Sequence, residues 1–227
     1  MGKLNTKNIS TEVSSSLPKN VTVGNHWLKI NGVELEEDIY KPDGYKFILH
    51  VETKPIENFE GWLINKDDPS MGHYKGQTGK VKASYYTFVD GETKGGVPIN
   101  RDQEILKFVK RLCVALGAEK WLAKNDDKHE TIESYINAFN SDQPFENKYI
   151  YFCLAGKPYT NKGGYKAYDL FLPNFSKEGN PFGAVESGVI TFDETVHIIK
   201  PKEKKVQEFG GNNTNNTDLG SQPEFTL

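Results

Sequence analysis

The stretch 74–88, YKGQTGKVKASYYTF, holds Lys75, Lys80 and Lys82 together with Tyr74, Tyr85, Tyr86 and Phe88, and it contains no carboxylate. Ammonium groups neutralise phosphates and release their counterions. Exposed rings stack on bases at about 1–3 kcal/mol each, without reading sequence. Basic charge and aromatic rings on one element therefore point to single-stranded nucleic acid, against the plainer reading of a solvated strand with tyrosines on its dry side. From Gly79 the residues alternate as in a strand, with Val81, Ala83 and Val89 facing a core and Tyr85 and Thr87 going with them. Lys80, Lys82, Tyr86 and Phe88 then share the outer face, and Tyr86 and the two lysines are the expected contacts. The glycine-rich residues before Gly79, which follow Tyr74 and Lys75, read as a mobile loop.

A second run of the same kind is GKPYTNKGGYK, residues 156–166, with Lys157, Tyr159, Lys162, Tyr165 and Lys166 and again no carboxylate. Gly163 and Gly164 suggest mobility, and an ordinary lysine-rich hairpin is the alternative. Trp27 and Lys29, adjacent on the outer face of the first strand signal, and Trp62, in a long loop, complete the candidate nucleic-acid contacts.

Catalytic chemistry finds little support. Pro42-Asp43 and Glu52-Thr53-Lys54 reproduce the letters of a PD…ExK nuclease. The residues between them contain no turn, so the two carboxylates lie roughly 30 Å apart along one strand and on opposite faces. A shared metal needs them within a few ångströms. No phosphate-binding GxxxxGK[ST] loop, GxSxG elbow or recognisable Cys–His spacing is present. Cys113 and Cys153 lack CxxC partners, and His26, His50, His73, His129 and His197 are scattered. A non-enzyme with no metal and no cofactor is expected.

The elements that must position these groups are legible in part. In VTVGNHWLKINGVELEED, Leu28 and Ile30 face inward and Trp27, Lys29 and Asn31 outward; Gly32 breaks the alternation, and Val33 and Leu35 take over. One extra residue at a glycine predicts a bulge that bends a long strand. A second strand follows the turn Pro42-Asp43-Gly44, with Phe47, Leu49 and Val51 on one face and Lys46, His50 and Glu52 on the other. A loop from about Pro55 to Thr78 leads to the third strand, which should end at Asp90-Gly91. Asn100 N-caps a predicted helix from Arg101 to Leu116, with an apolar stripe of Ile105, Phe108, Val109, Leu112, Cys113 and Leu116 and with Gly117 ending it. A shorter helix is predicted over Thr131 to Phe139. Strands return at 148–157, with Ile150, Phe152 and Leu154 inward, and at 164–173, and a last extended segment spans 187–201. Three strands, helices and two further strands predict a mainly β fold: an OB-fold-like, five-stranded Greek-key barrel with helices between strands 3 and 4. The expected organisation is a flexible arm over 1–20, this domain over 21–201, and a flexible acidic tail over 202–227.

The chain of 227 residues has a net charge of −3, which argues against a nucleic-acid partner until its distribution is considered. The two lysine runs lack carboxylates, whereas residues 206–227 lack any basic residue and hold Glu208, Asp218 and Glu224. No apolar run approaches the roughly 20 residues of a membrane span. The N-terminus MGKLNTKNIS lacks the apolar core of a signal peptide, so a cytoplasmic location is expected.

With these residues in view, the chain resembles the single-stranded DNA-binding proteins of tailed bacteriophages, in an OB-fold form with a helical insert. The resemblance rests on HWLKINGVEL at 26–35, YKGQTGKVKASYYTF at 74–88 and CLAGKPYTNKGGYKAYDLFLP at 153–173, and it covers about 20–200 and the tail. It implies non-catalytic, largely sequence-independent coating of DNA strands exposed in replication and recombination, in the bacterial host cytoplasm. It also implies an acidic tail that recruits partner proteins and competes with DNA, for which Glu208, Asp218, Glu224 and Phe225 match in type, with Asp218, Glu224 and Phe225 the expected partner contacts. The alternative is an OB barrel that grips a protein or carbohydrate partner in phage assembly or host interaction.

Overall fold

The alternation around Leu28 forms a long strand, β1 (Gly24–Glu37), that buries Leu28, Ile30 and Val33. A computed structural model of the chain describes residues 20–57, 62–63, 73–176 and 179–200. β1 pairs with β2 (Tyr45–Thr53), and the register shifts between Ile30 and Gly32, as the bulge requires. Short pairs follow, β3 (Trp62–Leu63) with β4 (His73–Tyr74), and after β5 (Thr78–Lys82), β6 (Gly91–Glu92) with β7 (Pro98–Ile99). Next come α1 (Arg101–Ala115), α2 (Glu119–Asn125) and α3 (Ile132–Asp142), then β8 (Tyr149–Thr160) and β9 (Lys166–Phe171). The described chain closes with β10 (Phe182–Gly183) and α4 (Glu194–His197).

Five strands form a closed barrel in the order β1–β2–β5–β9–β8 and back to β1, with β10 added beside β8. All neighbours are antiparallel except β5 and β9. Closure is possible because β1 serves two partners: residues 24–29 pair with β8 and residues 28–37 with β2. The architecture is mainly β with few helices and is compatible with an OB-fold-like barrel. Phe47, Leu49, Val51, Val81, Ile150, Phe152, Leu154 and Leu170 join the β1 residues in the core, each burial contributing about 1.5–3 kcal/mol. No described helix is long and apolar enough to cross a membrane.

The helices form where capping and apolar spacing agree. Asn100 accepts a hydrogen bond from the Gln103 N–H at 2.9 Å, and Asp102 and Glu104 complement the helix dipole in the first turn of α1. Its stripe sends Phe108 against Phe47 and Phe182, with ring centroids 5.2 and 5.6 Å apart. Gly117 takes φ 61°, the left-handed conformation that ends the helix. On α3, capped by Thr131, the Asn140 side chain donates to the Val33 carbonyl at 2.8 Å and accepts from its N–H at 2.9 Å. Those backbone groups lie just past the bulge in β1, and α3 satisfies them.

Several expectations are corrected. The third strand ends at Lys82 rather than Asp90, because the Ser84 hydroxyl accepts the Tyr86 N–H at 3.0 Å and bends the chain. The chain rejoins β2 only at Phe88, whose N–H and carbonyl bond Tyr45, and the Phe88 ring packs against the core instead of sharing a face with Lys80. The segment 187–201 is not an extended strand: Asp193 accepts the Thr195 N–H at 2.8 Å and caps the one-turn α4. The expected loop 55–78 contains the β3–β4 pair, and α2 stands between the two expected helices. Asn20, assigned to the flexible arm, bridges Thr78. The rest of the arm and all of the tail lie outside the described residues.

Candidate functional site

The second lysine run is a built hairpin, not a mobile loop. β8 continues to Thr160 and β9 begins at Lys166, paired Tyr159 with Ala167 and Thr160 with Lys166. The Asn161 side chain accepts the N–H groups of Gly163 and Tyr165 at 2.9 and 3.0 Å, and Gly164 supplies the φ of 81° that the turn needs. At the hairpin base, a side chain on Gly156 would come within 2.5 Å of Val23, just before β1, and 3.1 Å of Tyr168 on β9, so glycine makes room for both side chains.

β9 lies parallel to β5, with Val81 opposite Leu170. This pairing brings the two lysine runs together. A cleft of about 800 Å³ is lined by Lys80 of β5 and by Lys157, Tyr159, Lys166, Tyr168 and Asp169 of the hairpin. Residues 20–22, held by the Val21 N–H on the Thr78 carbonyl at 2.9 Å, complete its wall. Tyr159 is 51% exposed, available to a flat ligand.

The charges in and around the cleft are unequal. Lys80 bonds Glu34 at 3.1 Å, and the same carboxylate contacts His50 at 3.0 Å. The Lys80 ammonium and then the His50 ring hold the Glu34 carboxyl below its ordinary pKa. Lys82 bonds Asp169 at 2.7 Å, and Asp169 lies directly opposite Lys157 in the β8–β9 ladder. Among the described residues Lys157 and Lys166 have no ion pair. The cleft thus presents Lys157 and Lys166, without an ion pair among the described residues, and Lys80, which a carboxylate already holds; Lys82, held by Asp169, lies outside its lining. All four are solvated enough that a phosphate can compete for them, since part-exposed ion pairs are worth about 1 kcal/mol or less.

The remaining candidates are placed elsewhere. Lys162 and Tyr165 stand exposed at the hairpin turn beyond the cleft lining. Tyr86 is 66% exposed but stacks edge-on with Tyr85, itself 5.1 Å from Phe171, over a different hollow of about 370 Å³. Tyr85 is therefore only partly packed. Tyr74 of β4 is half-buried, and Lys75 is exposed just after it; neither lines the cleft. Trp27 is half-buried and engaged within the fold: its ring lies 5.4 Å from that of Tyr151, its N–H donates to Glu186 at 3.0 Å, and the Lys54 ammonium sits 5.4 Å above it. Lys29 pairs with the buried Glu52 at 3.0 Å. The strand position of Trp62 is described but its side chain is not, and Asp218, Glu224 and Phe225 lie outside the described residues.

Sequence reasoning missed Asp169, Tyr168 and residues 20–22. Asp169 was within reach, since alternation back from the hairpin turn puts it on the Lys157 face. Nothing local signals that residues 20–22 lie along β5. Among the described residues no group of His, Cys, Asp and Glu could hold a metal ion. Comparison with protein-family models, curated proteins and solved structures finds no match, so the cleft must be read from its own residues.

Proposed function

We propose that the chain binds single-stranded DNA, without catalysis and largely without regard to sequence, through the cleft between β5 and the β8–β9 hairpin. The observation that carries this reading is the convergence of Lys80, Lys157 and Lys166 with the exposed Tyr159 in one cleft, although β5 and the hairpin are far apart in the chain. Lysines on a concave surface attract a phosphate backbone, and a ring beside them offers a base somewhere to stack. The strand order, with only β5 and β9 parallel, supports an OB-fold assignment, in which the face of the second and third strands and the loop between the last two carry oligonucleotides. The resemblance to phage single-stranded DNA-binding proteins supplies the setting, protection of strands exposed in replication and recombination. Recruitment of partner proteins belongs in the same proposal to Asp218, Glu224 and Phe225.

Anisotropy of a fluorescein-labelled oligothymidine tests the reading. Tryptophan emission is the poorer reporter, because Trp27 does not line the cleft and Trp121 is buried. Neutralisation of phosphates by the cleft-lining Lys80, Lys157 and Lys166 predicts a slope of log K against log salt of up to about −2.1. Affinity indifferent to salt, or no binding, refutes the proposal.

A further inference from the structure

On another side of the barrel, α1 presents Lys107, Lys110, Arg111 and Val114 to the chain around Phe175 and Phe182, and the two walls enclose a groove of about 940 Å³. Its floor is apolar: Phe182 is buried, Phe175 packs against the core, and Val114 is left 54% exposed. Its rim is basic. The Arg111 guanidinium sits 4.0 Å from the centroid of the Phe175 ring, Lys107 is tied to Glu104 at 2.6 Å, and among the described residues Lys110 and Arg111 have no ion pair. None of the residues lining it carries a carboxylate. An apolar floor with two cations on its rim that have no ion pair among the described residues fits a short peptide that joins carboxylates to a large apolar side chain.

The chain carries one such peptide. Residues 218–227, DLGSQPEFTL, combine Asp218 and Glu224 with Leu219, Phe225 and Leu227, and no basic residue follows Lys205. The described chain also stops beside the groove: His197 and Ile199 line the neighbouring hollow, which shares Ser176 with it. From Lys200 to Phe225 is 25 residues (225 − 200), and a polar chain of that length would span about 25–30 Å root-mean-square. Such a tether sets a local concentration of about millimolar, so weak contacts suffice to fill the groove.

We infer that the segment 218–227 docks in the α1 groove of its own chain, with Phe225 against Phe175, Phe182 and Val114 and with Asp218 and Glu224 facing Lys110 and Arg111. The groove and the proposed DNA cleft share no lining residue, so docking stands apart from DNA binding and leaves the cleft open.

The test is paramagnetic relaxation in the full chain without DNA, from a nitroxide attached at Ser221→Cys. Cys113 and Cys153 are buried and their thiols are pushed up to about 12 and about 11, so they escape the label. Amides of Val114, Gly183 and Ala184 should broaden several-fold more than those of Lys80 and Tyr159. The difference should vanish in Phe225→Ala and in Lys110→Glu with Arg111→Glu. Broadening centred on Lys80 and Tyr159 would put the tail in the cleft and overturn the inference, as would even or absent broadening. Broadening of labelled chains by nitroxide on unlabelled ones in a mixed sample would overturn it in favour of a second copy.

Discussion

Asp169→Asn should tighten DNA binding. Asp169 sits in the cleft, holds Lys82 at 2.7 Å and faces Lys157 across the ladder. A phosphate reaching Lys157 comes within roughly 7 Å of this carboxylate, a repulsion of about 0.6 kcal/mol at the dielectric of water. The water value applies because the side chain is 44% exposed. Removing it raises affinity about three-fold at low salt. The same substitution releases Lys82 to the phosphates, which steepens the log K against log salt slope by about 0.7. Both gains shrink as the Debye length falls from about 14 Å at 50 mM toward about 7 Å at 200 mM. Asparagine keeps the size and one acceptor oxygen, so the barrel should melt as before by circular dichroism. Anisotropy titrations of both proteins over that salt range give two lines that converge as salt rises. Parallel lines, or weaker binding by the variant, would show that the phosphate path does not run between β5 and the hairpin.

Lys157→Ala with Lys166→Ala should flatten the salt slope by about 1.4, whereas Tyr159→Ala should weaken binding by about 1–3 kcal/mol with the slope unchanged; the same titrations read both. Asn140→Ala strands the Val33 N–H and carbonyl beside the bulge and should cost about 2–3 kcal/mol, seen in urea as a lower midpoint with an unchanged m-value. Thiolate at Cys113 and Cys153 should be about one part in ten thousand and one in a thousand at pH 8, given pKa values of about 12 and about 11. A disulfide reagent should therefore find no reactive thiol in the native protein and two after unfolding; fast native labelling would mean that α1 or β8 opens.

The sequence alone was enough for whatever depends on near neighbours. Period-two alternation placed Leu28, Ile30, Phe47, Leu49, Val51, Ile150, Phe152 and Leu154 inside, and the break at Gly32 marked the bulge. Apolar spacing with an Asn or Thr cap located α1 and α3. It was less reliable where one side chain redirects the backbone: Ser84 ends β5, Asn161 stiffens the hairpin turn and Asp193 starts α4, each through one or two local side-chain hydrogen bonds. Propensity averaged over a window does not register such bonds.

Both lysine-and-tyrosine runs could be read from composition, but which of their residues share a surface could not. The tertiary structure decided that, through the parallel pairing of β5 with β9, whose partners Val81 and Leu170 are 89 positions apart (170 − 81). That pairing sets Lys80 beside Lys157 and Lys166, leaves Tyr86 over another hollow, and gives Lys82 to Asp169. Alternation tells which way a side chain points from its own strand. It carries no information about which strand lies alongside, because that is set by closure of the whole barrel around a shared core.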